Sequence, residues 1–342
     1  MEGLIRQQLE ARERRILAPY AAFSGDSRGR AQAETEDSLR TCFQRDRDRI
    51  VHCKAFRRLK RKTQVFLAPQ GDHYRTRLTH TLEVTQIART VSRALGLNED
   101  LTEAIGLGHD LGHTPFGHAG EAVLNEVYAP GFFHFEQSLR VVDILESRHS
   151  GPGLNLTWEV RDGILHHSRG KAVLQGAQAA GPNTLEGAVM SVCDAVAYIN
   201  HDIDDAIRAE VITLRDLPQD ALEALGKTSS ERIDAMVHGI VEGSGAGKIG
   251  IRREVLEPMN ALRDYLYAEV YPHPAIDREI QKAKGMLREL YHHLIASPSP
   301  EILQGRQEDS IERRTVDFVA GMTDEYALEL YRRLRLPTSM RS

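Results

Sequence analysis

The stretch GHDLGHTPFGHAGE, Gly108 to Glu121, holds three histidines, one aspartate, one glutamate, four glycines and a proline in fourteen residues. That is too many breakers for an ordinary helix and too many ligand-capable side chains for an ordinary loop. His109 and Asp110 are adjacent, so on a helix they point about 100° apart. Such a pair grips one ion only if other elements complete its shell. His80, in RLTHTLEV, and Asp194, in SVCDAVAY, are suitable groups on segments that read as helices. Two imidazoles and two carboxylates, with no thiolate, suit one divalent ion per site. Mn, Fe, Ni, Co and Mg all accept this donor set in a six-coordinate shell with open water positions. A closed structural zinc site is the poorer match. His118 and Glu121 are three apart and share one side of a helix. A histidine oriented by a carboxylate is a proton donor or acceptor near neutral pH. The plainer alternative is a surface pair, but Gly117 and Gly120 allow close approach of a ligand. His113, one turn after His109, faces the same cavity.

These residues need helices to position them, and helical periodicity dominates the chain. Leu78, Leu82, Ile87, Val91 and Leu95 mark one apolar face, ended by Gly96. NEDLTEAIGLGHDLGH reads as the next helix, with Asn98 as N-cap and acids in its first turn. Thr114-Pro115 reads as an N-cap and first helical position, predicting a helix from about Pro115 to Tyr128. FEQSLRVVDILESR and LTWEVRDGILHHS are further helices. GKAVLQGAQAAGPNT (170–184) is a small-residue connector, and EGSGAGKIG (242–250) breaks the chain again. LEGAVMSVCDAVAYINHDIDDAIRA, VLEPMNALRDYLYAEVY and TVDFVAGMTDEYALELYRRL complete a helical series. No alternating strand pattern stands out, so the fold class is all-α. GSGAGK lacks the glycine spacing of a phosphate-binding loop, and Ile249 follows its lysine, which argues against a Walker-type site.

Composition bounds the rest. The chain has 342 residues, 41% hydrophobic and 27% charged, with three cysteines that show no CxxC spacing. That fits a globular protein of a reducing cytoplasm rather than a disulfide framework. No run of 18 apolar residues predicts a membrane span, and MEGLIRQQLEARERR lacks a signal core. Residues 1–100 carry 20 Lys/Arg against 13 Asp/Glu, although the whole chain has a net charge of −5. The excess peaks at KAFRRLKRK, Lys54 to Lys62, with six cations in nine residues. It reads either as a solvated helix face or as a contact for a phosphate-rich ligand or nucleic acid. Only Phe56 and Phe66 lie nearby as stacking partners, which weakens single-strand binding.

His80, His109-Asp110 and Asp194, in that order, resemble the metal signature of the HD-domain phosphohydrolases. FRRLKRKTQVF, RTRLTHTLEV, LGHDLGHTPFGHAGE, GILHH, AYINHDIDDAI and AGMTDEYA are together similar to the bacterial deoxyguanosinetriphosphate triphosphohydrolase-like proteins, over roughly residues 35–335. The resemblance implies a multi-helix HD-domain fold in a single domain, with an N-terminal arm over about 1–35 and a C-terminal helical extension over about 210–342. It implies hydrolysis of a deoxynucleoside triphosphate to the deoxynucleoside and inorganic triphosphate. Carried over, His80, His109, Asp110 and Asp194 are the metal ligands, His118 the catalytic acid or base, and Glu121 its partner. His113 and His134 line the phosphate site, Arg77 contacts phosphate, and Gln64, Tyr198 and Asp202 surround the sugar. Tyr198 would pack under the ribose, leaving little room for a 2′-hydroxyl, and Asp202 would accept from the 3′-hydroxyl. Arg77 and the 54–62 cluster have the right sign for a triphosphate. Phe135 stands where the family pattern has an asparagine, so an amide donor is missing there. Ala195 replaces a larger, often basic residue. Homo-oligomers are common among such proteins.

Two further readings compete. One is an HD phosphatase acting on a monophosphate or other phosphorylated small molecule. The other is a regulatory nucleotide-binding protein that responds to nucleic acid, with single-stranded DNA or a nucleotide as effector.

Overall fold

A computed structural model describes residues 4–64, 75–169, 181–245 and 247–337. The architecture is all-α. The helices are α1 (Leu4–Ile16), α2 (Cys42–His52), α3 (Lys54–Arg58), α4 (Arg77–Ala94), α5 (Glu99–Gly108), α6 (His118–Val127), α7 (His134–Arg140) and α8 (Trp158–His166). They continue with α9 (Leu185–Arg208), α10 (Gln219–Leu225), α11 (Ser229–Gly243), α12 (Arg253–Tyr265), α13 (Pro274–Ala296), α14 (Pro300–Leu303), α15 (Ile311–Ala320) and α16 (Asp324–Arg335). Among the described residues the only sheet is a hairpin pairing Ser147–Arg148 with Gly151–Pro152. No described helix is long and apolar enough to cross a membrane.

Helices α2, α4, α5, α8 and α9 pack around one apolar core. Val84, Ile87, Ala88 and Val91 of α4 meet Leu101, Ala104 and Ile105 of α5 and Val189, Val192 and Val196 of α9 there. Each fully buried Val, Leu or Ile side chain among them contributes roughly 1.5–3 kcal/mol. The buried face of α4 is only partly the predicted one: Ile87 and Val91 lie in the core as expected. Leu82 is exposed, and Leu78 and Leu95 are only partly buried. Arg77, His80 and Thr81 take the buried positions at the start of the helix. A second core joins Val123 and Leu124 of α6, Leu287, Leu290 and Leu294 of α13, Val316 and Val319 of α15, and Ala327 and Leu330 of α16.

Asn98 caps α5 as the sequence predicts, accepting from the backbone N–H groups of Asp100 and Leu101. Helix α5 stops at Gly108, however, so His109 to His113 lie in the turn beyond it. The helix predicted from Pro115 begins only at His118. The Thr114 hydroxyl donates to the Gly117 carbonyl instead of capping, and Phe116 and Gly117 take positive φ angles of 60° and 54°. FEQSLRVVDILESR leaves α-geometry at Val141 for one wide π-helical turn to Leu145. The C-terminal segment is two helices, broken at 321–323, with Thr323 capping the second. Most of the connector at 170–184 lies outside the described residues.

The basic segment at 54–62 does not line the central cavity, contrary to its proposed service to a triphosphate. Ala55, Phe56 and Leu59 are buried, and Arg61 pairs with Glu325 at 2.8 Å. Lys62 is itself buried, and its ammonium donates to the carbonyls of His113 and Ala320.

Candidate metal centre

Two helices and the turn after α5 bring the four ligand-capable groups together. His80 lies in the first turns of α4, after Thr76 caps that helix. His109 and Asp110 follow α5, and Asp194 lies mid-way along α9. His80 Nε2 is 3.2 Å from Asp194 Oδ1, and His109 Nε2 is 3.9 Å from the same oxygen. His109 Nε2 is 3.4 Å from Asp110 Oδ1. His109 Nδ1 donates to the Gly106 carbonyl at 2.6 Å, so its Nε2 presents a lone pair. That Nε2 is buried with no hydrogen-bond partner. A buried lone pair left unsatisfied among a second imidazole and two carboxylates fits a divalent cation, as one ring nitrogen of a ligand histidine is usually fixed by a hydrogen bond from the other.

The electrostatics agree with that donor set. Burial lowers the His80 pKa and keeps the ring neutral. Burial alone would raise Asp110, but His109, His113 and Arg77 hold it well below the usual carboxylate range. His80 and His109 likewise hold Asp194 low against its burial. Both acids are therefore ionised at neutral pH, as ligands must be.

A cavity of about 530 Å³ opens from this cluster. Its wall includes Gln64, Arg77, His113, His118, His134, Tyr198 and Asp202, so every residue expected around a substrate lies on it. Glu121 stands behind this wall, with one carboxylate oxygen 3.1 Å from His118 Nδ1 and the other 2.8 Å from His134 Nδ1. Burial would raise Glu121, yet the hydrogen bonds from His118 and His134 hold it far below the ordinary value. The His118 side chain is 75% exposed, so its ring opens to the cavity. Arg77 is held on the cavity wall by two partners. Its guanidinium pairs with Asp110 Oδ2 at 2.6 Å and donates to the Gln64 carbonyl at 3.2 Å. Among the described residues Arg77 is the only Arg or Lys on the cavity wall.

The far end of the cavity is a tyrosine cage. Tyr198, Tyr267 and Tyr271 surround Asp202, whose Oδ2 accepts from the Tyr271 hydroxyl at 2.5 Å. Asp202 Oδ1 is buried without a partner, and burial raises this carboxyl to about 7. Tyr267 and Tyr271 were visible in DYLYAEVY only as helical residues. They reach the site because one π-helical turn, Leu266–Val270, rotates the chain after α12.

Two buried histidines also escaped the sequence reading. His201 Nδ1 lies 3.1 Å from His80 Nδ1 and its Nε2 2.9 Å from Glu83; with a neutral His201 donating to Glu83, His80 donates through Nδ1 and turns the lone pair of its Nε2 toward Asp194 Oδ1 at 3.2 Å. His167, the second histidine of GILHH, lies 3.2 Å from His134, Nε2 to Nε2. Burial, reinforced by His109 and His134, pushes it down to about 3, so it is neutral. Its HH doublet was the available signal.

Residues 77–199 match the HD domain family, and residues 249–333 match the phosphohydrolase-associated domain family. The chain is 51% identical to the deoxyguanosinetriphosphate triphosphohydrolase-like protein of Caldanaerobacter subterraneus subsp. tengcongensis, over 98% of this chain and 96% of that protein. It is 47% identical to the protein of the same description from Desulfatibacillum aliphaticivorans, over 98% and 99% of the two chains. A solved structure of a hypothetical protein from Aquifex aeolicus shares the fold, with a TM-score of 0.50 at 19% identity, over 86% of this chain and 69% of that one. The first match runs from Arg77 to Ile199 and so contains all four groups that meet at the centre. The chain therefore belongs to the HD-domain hydrolases of the deoxyguanosinetriphosphate triphosphohydrolase-like family.

Proposed function

We propose that the chain hydrolyses deoxynucleoside triphosphates to the deoxynucleoside and inorganic triphosphate. One observation carries this reading: a single cavity has an imidazole–carboxylate cluster at one end and a tyrosine cage around Asp202 at the other. A phosphatase for small monophosphates has no need of the second end. In this assignment His80, His109, Asp110 and Asp194 hold the ion, and Tyr198, Asp202 and Gln64 take the sugar. When bound, a divalent ion supplies Lewis-acid polarisation of a phosphoryl oxygen and lowers the pKa of a water. The chain's own residues do the rest. Water attacks the α-phosphorus, the bond to the 5′-oxygen breaks, and His118 gives its proton to that oxygen. Glu121 holds the His118 ring through Nδ1 and leaves Nε2 to donate. His113 and His134 flank the phosphates.

The test compares variants of the Mn²⁺-loaded protein. His109→Ala or Asp110→Ala is expected to lose both metal and turnover. His118→Ala is expected to keep the metal and lose roughly 10²–10⁴ in rate, the usual worth of a general acid. Loss of metal from His118→Ala would overturn the role given to it. Turnover of ribonucleotides equal to that of deoxynucleotides would overturn the placement of Tyr198 under the sugar.

A second reading, single-stranded DNA as an effector, draws support from Lys54, Arg57, Arg58 and Lys60, which are exposed and carry no ion pair among the described residues. Reversing Arg57 and Lys60 is expected to lower the slope of log affinity against log salt by about two. An unchanged slope removes this surface from consideration.

A further inference from the structure

We propose that a second cavity, behind the turn that carries His109 and Asp110, is a binding site for a phosphate-bearing anion. Its volume is about 580 Å³, within the usual range of ligand sites. It lies between the segments at 54–62 and 137–147 and the C-terminal helices α14, α15 and α16. No described residue lines both this cavity and that of the metal centre. The basic run KAFRRLKRK divides here into two faces. Lys54, Arg58 and Lys62 recur at steps of four and all line the cavity, whereas Arg57, Lys60 and Arg61 do not. Arg58 reaches across to the break between α15 and α16, where a Cβ on Gly321 would lie 3.3 Å from its Nη1.

The charges on this wall do not balance. Asp309 and Asp317 are taken by Arg140, and Asp317 also by Arg313. Arg306 pairs with Glu308 at 3.0 Å. Lys54, Arg58, Lys62 and Arg314 have no carboxylate partner among the described residues. Against these four cations stand two acids without a cation, Glu301 and Glu146, and the latter already accepts from the Ala55 N–H at 2.7 Å. Lys62 is 3% exposed, and its ammonium meets only the carbonyls of His113 and Ala320. Arg314 gives Nη1 to the Ile302 and Leu303 carbonyls, while its Nε is buried with no partner. A buried cation without a counter-charge is costly, and an anion in the cavity offsets that cost. The excess of positive charge suits a phosphate better than a single carboxylate, and guanidinium forks match phosphate oxygens.

The site is coupled to the metal centre through one turn. Leu111 and Gly112 line this cavity, while Asp110 and His113 beside them line the other. The turn is thus the partition between the two, and an occupant behind it bears on the ligands in front. Binding on one side then changes affinity on the other by the same factor. This coupling rests on the proposed metal centre, but the anion site does not.

The test is calorimetric titration of the Mn²⁺-loaded full chain, once with inorganic triphosphate and once with deoxyadenosine 5′-monophosphate. The titrant that shows the event tells an inorganic chain from a nucleotide. Lys54→Glu combined with Arg58→Glu, both exposed, is expected to remove one binding event and to keep the thermal unfolding transition. Glu301→Gln takes away an opposing charge and should tighten the same event by about two- to fivefold, which a damaged fold would not do. Arg57→Glu with Lys60→Glu, on the outward face, should leave it unchanged, separating this site from a DNA-binding surface. Identical titrations of the unmodified chain and the Lys54/Arg58 variant with both anions overturn the site. At saturating anion and matched free Mn²⁺, the Mn²⁺ dissociation constant is expected to shift by about fivefold or more in the unmodified chain and not in that variant. Equal constants overturn the coupling. An anion event in a chain that turns over no deoxynucleotide supports the site and removes the proposed function instead.

Discussion

Asp202 shows how burial can set the state of one group against the opposing pull of the Tyr271 hydrogen bond and His201. Its carboxyl is raised from an ordinary value near 3.8 to about 7. The folded chain thus binds this proton more tightly than the unfolded one. The resulting stabilisation is full below about pH 4 and is lost as pH rises through about 7. Asp202→Asn stays neutral throughout, so its melting temperature is expected to fall less than that of the unmodified chain between about pH 5 and pH 8. Parallel curves would show that Asp202 is ionised in the fold. At this scale the sequence was most legible where donors crowd together, as at His109-Asp110 and His118-Glu121. It was least legible where a partner comes from far along the chain. Tyr271 lies 69 residues from Asp202, and no spacing rule links them. The resemblance implies that Arg77 contacts phosphate. In the structure it neutralises Asp110, a pairing visible only once α4 packs on the turn after α5.

At the scale of elements, the turn at 109–117 exists because α5 ends early and α6 starts late. Gly112 lets this turn press on α7, since a Cβ there would lie 2.1 Å from the Ser138 backbone nitrogen. Gly112→Ala therefore forces the turn and α7 apart, and it should lower the melting temperature and the metal affinity together. Lys62 braces the same turn from behind through the His113 and Ala320 carbonyls. Lys62→Met leaves two buried acceptors without a donor, at a cost of about 2–4 kcal/mol, measurable by chemical denaturation. A cost under about 0.5 kcal/mol would mean the brace is replaceable. Periodicity predicted that these helices exist but misplaced their ends. Thr114-Pro115 has the composition of a cap, yet Thr114 bonds forward to Gly117 and the first helical turn is lost to the bend that presents His118.

Across the whole molecule, the two cores are joined at the cavity by the C-terminal helices. Asp324, first residue of α16, accepts from the backbone N–H groups of Thr63 at 2.8 Å and Phe116 at 3.0 Å. These partners flank the site and lie 261 and 208 residues away in sequence. Asp324→Ala is expected to cost about 1–3 kcal/mol in stability and to weaken nucleotide binding while metal content is unchanged. An unaltered KM would separate this contact from the site. The all-α class was legible because nearly every segment repeats its apolar residues at helical steps. The split into two cores was not, because both cores are built from the same aliphatic residues with no composition shift between them.

The most direct test of the account is the identity of the products. The Mn²⁺-loaded chain is incubated with each deoxynucleoside triphosphate in ¹⁸O-water, and all phosphorus species and nucleosides are quantified. Attack at the α-phosphorus predicts equal amounts of deoxynucleoside and triphosphate, with the label in the triphosphate. Release of orthophosphate with a remaining diphosphate, or label in the nucleoside 5′-hydroxyl, would contradict it.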